Sequence, residues 1–338
     1  MAPFRSYRFA AVVIVLLQAS CEPRTDPPPK SVSPTLVSEA EKPEPKVSRS
    51  VPEALPVAPP VAPPVEYDGP CPKGMKLVDG GAFTAAQRIS LTERFGRAAG
   101  TAELSFEIAP FCLAVLETTK AEFHECIVAG ACVSGRDFEA SKGRPEPDQC
   151  MSAEIACGGK YASEPNWNMT IEGARAYCEF RNTRIPTVGE WFWAATGGEE
   201  ARRYPWGDAK PTERHLNVCD ERCLREACCG DVPENEPLKS CAVPACLRKA
   251  QPFFTSDDGY SHLAPVGSYP EGAGRWGHLD LLGNAAEVLT LRHQDYACGG
   301  DANSEKDVPL DLNQHECEHI PSTTIRAVRC AASPRQNL

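Results

Sequence analysis

Three stretches of this sequence carry side chains whose types and spacing suit chemistry. The first is His315-Glu316-Cys317-Glu318-His319, which satisfies the H-E-x-x-H pattern of zinc proteases. That chemistry needs a helix, so that both imidazoles meet the ion from one face and the first glutamate works as general base. Pro309 lies six residues before the first histidine and Pro321 two after the second, with no amphipathic run between them. The pattern therefore reads as incidental surface histidines. The second stretch is CDERCLREACCGDVPENEPLKSCAVPAC, residues 219–246, with six cysteines. Its spacings are irregular and lack paired C-x-x-C knuckles, which favours disulfides and leaves zinc as the alternative. The third is LDLLGNAAEVL, residues 279–289, an apolar run broken by Asp280, Asn284 and Glu287. Two such carboxylates either cap short turns and face solvent, as most acidic side chains do, or converge on a hard cation.

The elements that must position these groups are few. Thr119 and Glu122 form a Thr-x-x-Glu capping box ahead of Phe123, Cys126 and Ile127 at helical spacing, and Gly130 supplies a C-cap. Thr170 is an N-cap for a second helix with Glu172 in its first turn and Ala174, Tyr177 and Cys178 on one face. Thr187 and Glu190 repeat the capping box before Trp191, Ala194 and Ala195. The segments between are short and rich in Gly, Asp and Pro, which predicts an α+β domain with much coil. No internal repeat is present.

The chain has 338 residues, and its first 66 do not read as a folded domain. MAPFRSYRFAAVVIVLLQASC has a basic start (Arg5, Arg8), a short apolar stretch and small residues before Cys21, the form of a secretory signal. The apolar stretch is too short for a membrane span, which needs about 20 residues. Its Ala19-Ser20-Cys21 ending resembles a bacterial lipobox, with Gln18 where Leu is usual; Cys21 would then carry a lipid, with a plain cleaved signal as the alternative. Residues 22–66 are Pro-rich without apolar periodicity and read as a disordered tether, leaving residues 67–338 as the domain. Apart from Cys21 the chain holds 16 cysteines, an even number in an exported protein, which implies disulfides. The net charge of −11 sits on the domain, because residues 1–66 carry seven basic and seven acidic side chains. An acidic domain does not suit polyanions, so nucleic acid is excluded as an expected partner, while divalent cations and basic ligands are acceptable.

Read in order, seven segments carry a resemblance: GMKLVDGGAFTAAQ (74–87), PFCLAVLETTKAEFHECIVAG (110–130), EPNWNMTIEGARAYCEFRNTRIPTVGEWFWAATGG (164–198), RYPWGD (203–208), APVGSYPEGAGRWGHLDLLGNAAEV (264–288), CGGDA (298–302) and AVRCA (327–331). Together they resemble the formylglycine-generating enzyme, or sulfatase-modifying factor, family. The resemblance implies an α+β fold of low regular content, disulfide-rich and distantly like C-type lectin domains. It implies structural Ca²⁺ held by side-chain oxygens at Asp280 and Glu287 and main-chain carbonyls at Gly283 and Ala285. A second Ca²⁺ is implied at Asn217 and Val218 together with Asp258 and Tyr260, the two halves separated by the cysteine-rich insert of residues 219–246. It also implies a disulfide between Cys178 and Cys330.

The family's redox chemistry uses a thiol pair after a Gly-Gly-Ser motif, which binds copper and activates oxygen to oxidise a substrate cysteine. Here Asp301 replaces that Ser, Ser304 stands where the first thiol belongs, and Cys317 is the single cysteine between Gly300 and Arg329. Ala286 occupies the position of a family Trp. The resemblance thus implies a calcium-stabilised scaffold without the copper site and without catalytic residues, acting as a binding module for a protein or small ligand at a bacterial cell envelope. An oxidase with a repositioned site is the alternative.

Overall fold

A computed structural model describes residues 64–83, 88–93, 97–103, 107–133, 161–167, 169–229, 251–306, 308, 310–321 and 325–335. All belong to one unit by contact, Val57–Leu338. The signal segment with Cys21, most of the Pro-rich stretch, and Cys241 and Cys246 of the insert lie outside the described residues.

Four α-helices are described. Helix α1, Lys120–Val128, starts on the Thr119–Glu122 capping box, in which each side chain satisfies the other residue's orphan amide. Its chain leaves through Gly130 at φ +72°, the left-handed conformation that glycine takes without Cβ strain. Helix α2, Ile171–Phe180, is capped by Thr170, whose hydroxyl accepts from the Gly173 amide. Helix α3, Val188–Ala195, has the second capping box, and its Glu190 also pairs with Arg184. All eight residues of α3 are buried, so this helix runs through the core. Helix α4, Glu221–Cys229, was not expected. It opens the cysteine-rich insert, where the sequence suggested irregular stapled loops; Asp220 accepts from the Cys223 amide and starts the first turn.

The strands are short. A three-stranded antiparallel sheet places Phe111–Ala114 between Met75–Val78 and Ala331–Ala332. A five-stranded sheet runs in the order Glu287–Leu291, Gln294–Cys298, Glu316–His319, Arg88–Glu93, Arg97–Glu103, with one parallel pair, Glu316–His319 against Arg88–Glu93. Two apolar clusters meet across Glu287–Leu291. Leu289 packs with Trp191, Phe192, Trp193 and Leu281 on one face. Val288 packs with Tyr177, Phe123, Val328 and Ile185 on the other. Strand alternation explains this division, because successive side chains point to opposite faces.

Five disulfides staple the described chain: Cys71–Cys112, Cys126–Cys132, Cys178–Cys330, Cys219–Cys223 and Cys298–Cys317. Cys178–Cys330 ties α2 to the C-terminal segment across 152 residues. Each cysteine whose side chain is described is in such a bond.

Candidate functional site

The loop between Leu279 and Glu287 winds through left-handed backbone at Asp280 (φ +53°), Gly283 (φ +78°) and Asn284 (φ +54°). Gly283 is required by contact as well as conformation: a Cβ there would lie 2.3 Å from the Asn217 carbonyl. The Asn284 amide donates to that carbonyl at 2.8 Å, and the Gly283 amide donates to the Gly299 carbonyl at 2.9 Å. This loop is therefore knitted directly to the segment of residues 217–220.

Asn284 is the hub, and the sequence marked it only as a break in an apolar run. Its Oδ1 accepts from Asn217 Nδ2 at 3.0 Å and from the Ala264 amide at 3.0 Å, while its Nδ2 donates to Glu117 and to the Ala264 carbonyl. Asn284 is 1% exposed, so these partners replace the water it has lost.

Glu287, 1% exposed, accepts from Arg329 Nε with both oxygens (2.7 and 2.8 Å) and from Trp191 Nε1 at 2.9 Å. Arg329, fully buried, spends its remaining N–H groups on the carbonyls of Ala114, Val115, Leu279 and Asp280. Asp280 accepts from the Gly267 amide, and burial raises its proton affinity above the ordinary carboxylate range despite that bond and the nearby Arg329. Glu117, also 1% exposed, has one oxygen with no partner among the described residues. Burial first, then the charges of Asp280 and Glu287, push its carboxyl well above the usual range, with Arg329 and Asn284 pulling the other way. Three buried carboxylates thus share one guanidinium.

These residues fit a hard cation in part. Asp280 offers a carboxylate, and no described residue donates a hydrogen bond to the main-chain oxygens of Gly283 or Ala285. Glu287 is the member already neutralised, by Arg329.

The second predicted group also converges. Asp258 accepts from the amides of Val218 and Tyr260, each at 3.1 Å, which brings together the two halves that flank the insert. Burial raises the Asp258 carboxyl to about 7; those two amides oppose the shift, and the charges of Asp220 and Asp257 add to it. Asn217 is 1% exposed and its Oδ1 has no partner among the described residues. An unsatisfied amide oxygen beside buried carboxylates is the kind of donor a calcium site uses.

A cleft of about 810 Å³ opens over this framework. Trp167, His262, Ala286, Asp301, Asn303 and Arg326 contribute to its wall. Trp167 is 51% exposed, the largest apolar side chain that the described surface presents. At its rim Lys120 pairs with Glu164 at 2.8 Å and His262 with Glu226 at 3.0 Å. Ser304 is buried, and its hydroxyl accepts from the Asp301 amide, closing the turn that follows Gly300. No cysteine is among the described residues that line the cleft, and Cys298 and Cys317 are joined to each other.

The histidine pattern requires a correction. Its core, Glu316–His319, is a β-strand, on which the two imidazoles cannot share a helical face. His315 is not a surface residue: it is 2% exposed, its Nε2 accepts from the Gly299 amide at 2.9 Å, and it stacks on Trp191. The Tyr204–Trp206 loop packs on the protein: Trp206 stacks between Tyr204 and His215.

Comparison with known proteins places this geometry. The sulfatase-modifying factor enzyme 1-like domain matches residues 65–308. The chain is similar to the inactive C-alpha-formylglycine-generating enzyme 2 of Bos taurus, 29% identical over 129 residues, 38% of this chain and 32% of the relative. It is similar to the formylglycine-generating enzyme of Mus musculus, 24% identical over 233 residues, 66% of this chain and 52% of the relative. The bacterial enzyme of that name from Thermomonospora curvata is 31% identical over 151 residues, 42% and 39% of the two chains. The matches thus span about a third to a half of the curated relatives. Among solved structures, PvdO of Pseudomonas aeruginosa aligns with a TM-score of 0.44 at 15% identity, over 80% of this chain and 99% of that one. The match over residues 65–308 takes in most of the domain, including both predicted ion loops and the cleft wall at residues 284–286 and 301–303: this chain belongs to the sulfatase-modifying factor enzyme 1-like domain family.

Proposed function

We propose that this chain is an exported, lipid-anchored binding module of its family, attached through Cys21 at a bacterial cell envelope, with the cleft beside Asn284 and Ala286 as its ligand site. Its partner is a protein or a small ligand rather than nucleic acid. The carrying observation is the state of the segment after Gly300: its turn is closed by Asp301 and Ser304, and Cys317 is consumed by Cys298. Copper-dependent oxidation of a cysteine needs thiolates that can hold Cu(I), and the described residues offer none there. The relative named as inactive is a precedent for a member of this family without the activity.

The proposal includes calcium as a scaffold ion. Asp280 with the Gly283 and Ala285 carbonyls would hold one ion, and Asn217, Val218, Asp258 and Tyr260 another. A bound ion would supply positive charge to carboxylates that one guanidinium leaves in excess. What the chain itself does is hold Asn284 between the two loops, so that order in either is passed to the cleft wall.

The test is direct. Purified full-length protein, oxidised as isolated, is titrated with Cu(I) and assayed for oxygen-dependent oxidation of a cysteine peptide. Neither stoichiometric binding nor turnover is expected; stoichiometric Cu(I) binding with turnover would overturn the reading in favour of an oxidase with a repositioned site.

A further inference from the structure

The second ion loop contains two carboxylates that the family resemblance does not assign. Asp220 is fully buried and lies one residue beyond Cys219, within the short loop closed by Cys219–Cys223. One of its oxygens accepts from the Cys223 amide at 2.8 Å and the other from the Asp258 amide at 3.0 Å. Asp257 is exposed. Together, Asp220, Asp257 and Asp258 each bring an oxygen to within 4.8 Å of the others.

Three like charges so close repel unless something compensates them. Among the described residues the cation paired with them is Arg222, 3.6 Å from Asp257, in a contact whose side chains are 42% and 59% exposed. Such a surface pair is worth little and does not reach the buried members. The amide bonds orient Asp220 and Asp258 yet leave a second lone pair on each oxygen.

An observation independent of the carboxylates points to a ligand. Asn217 donates with Nδ2 to the His262 carbonyl at 2.8 Å and to Asn284, and keeps a buried Oδ1 with no partner among the described residues. Val218, the next residue, gives its amide to Asp258, so this orphan oxygen belongs to the segment that borders the acidic group. Carboxylates plus an amide oxygen, with no thiol or imidazole, are the donors of a hard divalent cation.

We infer that Asp220 and Asp257 are calcium ligands specific to this chain, completing with Asp258 and Asn217 a site of three carboxylates at the start of α4. The inference deepens the calcium reading above and rests on it. The disulfide on either side of Asp220 fixes the ligand, and α4 carries Glu226 to the cleft rim beside His262. Occupancy of this site would therefore set the position of one cleft wall.

The experiment is calorimetric titration of CaCl₂ into full-length, chelator-treated protein, with D220N, D257N and D258N compared to wild type. D220N loses one of the two amide bonds, because asparagine keeps a single acceptor oxygen, whereas Asp257 is a surface residue, so D257N folds as wild type and carries the test. Losing one charged ligand from a site whose affinity follows ligand charge weakens binding by about tenfold or more. The expected result is that D220N and D257N each weaken calcium binding at one site by that factor, while D258N removes the site and D280N leaves it unchanged. Unaltered binding in D220N and D257N, with loss in D258N, would overturn the inference and leave the calcium reading standing. No calcium binding by wild type would overturn both.

Discussion

Replacing Arg329 by Met tests the centre of the fold. The guanidinium is fully buried, closes on both oxygens of Glu287 at 2.7 and 2.8 Å, and donates to four main-chain carbonyls. Methionine fills most of the volume but leaves Glu287 as an uncompensated buried charge beside Asp280 and Glu117. Breaking a buried pair from one side costs about 3–5 kcal/mol, so R329M should lose that much stability. For a domain of this size a loss of that order lowers Tm by roughly 6–20 °C, at about 2–4 °C per kcal/mol. The companion variant is R329M/E287Q: Gln removes the charge and keeps an oxygen for Trp191 Nε1. It should recover at least about 1 kcal/mol of the loss, because the desolvated charge is gone while the four carbonyls remain without their donor. The assay is urea unfolding followed by tryptophan fluorescence, under non-reducing conditions and with a chelator present so that bound ions do not contribute. A single-variant loss below about 1 kcal/mol, or a double variant no more stable than R329M, would refute the reasoning, since either result means that the buried charge is not what Arg329 compensates.

Two further predictions concern the same core. Glu117 has its proton affinity raised in the folded state by burial and by neighbouring carboxylates, so its contribution is favourable below the ordinary glutamate range and is lost as pH rises through the folded-state value, each tenfold rise in proton affinity being worth about 1.4 kcal/mol. E117Q should therefore raise Tm at pH 8 in chelator and change it little at pH 4, as measured by thermal melts across that range; equal effects at both ends would discard the explanation. The Cys178–Cys330 bond closes 152 residues, and on the chain-entropy account its removal in C178A/C330A costs about 4–5 kcal/mol, readable as a shift of the urea midpoint.

Much of the local structure was legible because its causes are local. The two Thr-x-x-Glu boxes, at Thr119 and Thr187, and the Thr170 cap each satisfy helix amides within three residues, and α1, α2 and α3 begin where they stand. Helix α4 was missed because cysteines at irregular spacing suggest a stapled coil, whereas its start depends on Asp220, a cap hidden inside that pattern. His315 was misplaced for a related reason. A histidine in a stretch with no amphipathic run reads as surface, and only the return of Gly299 and the face of Trp191 make it a buried acceptor.

The sequence by itself determined the order of the family's segments, the starts of α1, α2 and α3, the absence of the thiol pair after Gly300, and which carboxylate and amide oxygens the chain carries. Those are matters of residue identity and of contacts a few positions apart. The tertiary structure decided how the oxygens are used. It gave Glu287 to Arg329, 42 residues away. It left Glu117 and Asn217 with buried oxygens that have no partner among the described residues, and it made Asn284 the joint between two loops. It also gathered Asp220, Asp257 and Asp258 into one acidic group. The physical reason is that a carboxylate's chemistry is set by which charges and amides surround it once water is excluded, and those neighbours come from distant parts of the chain.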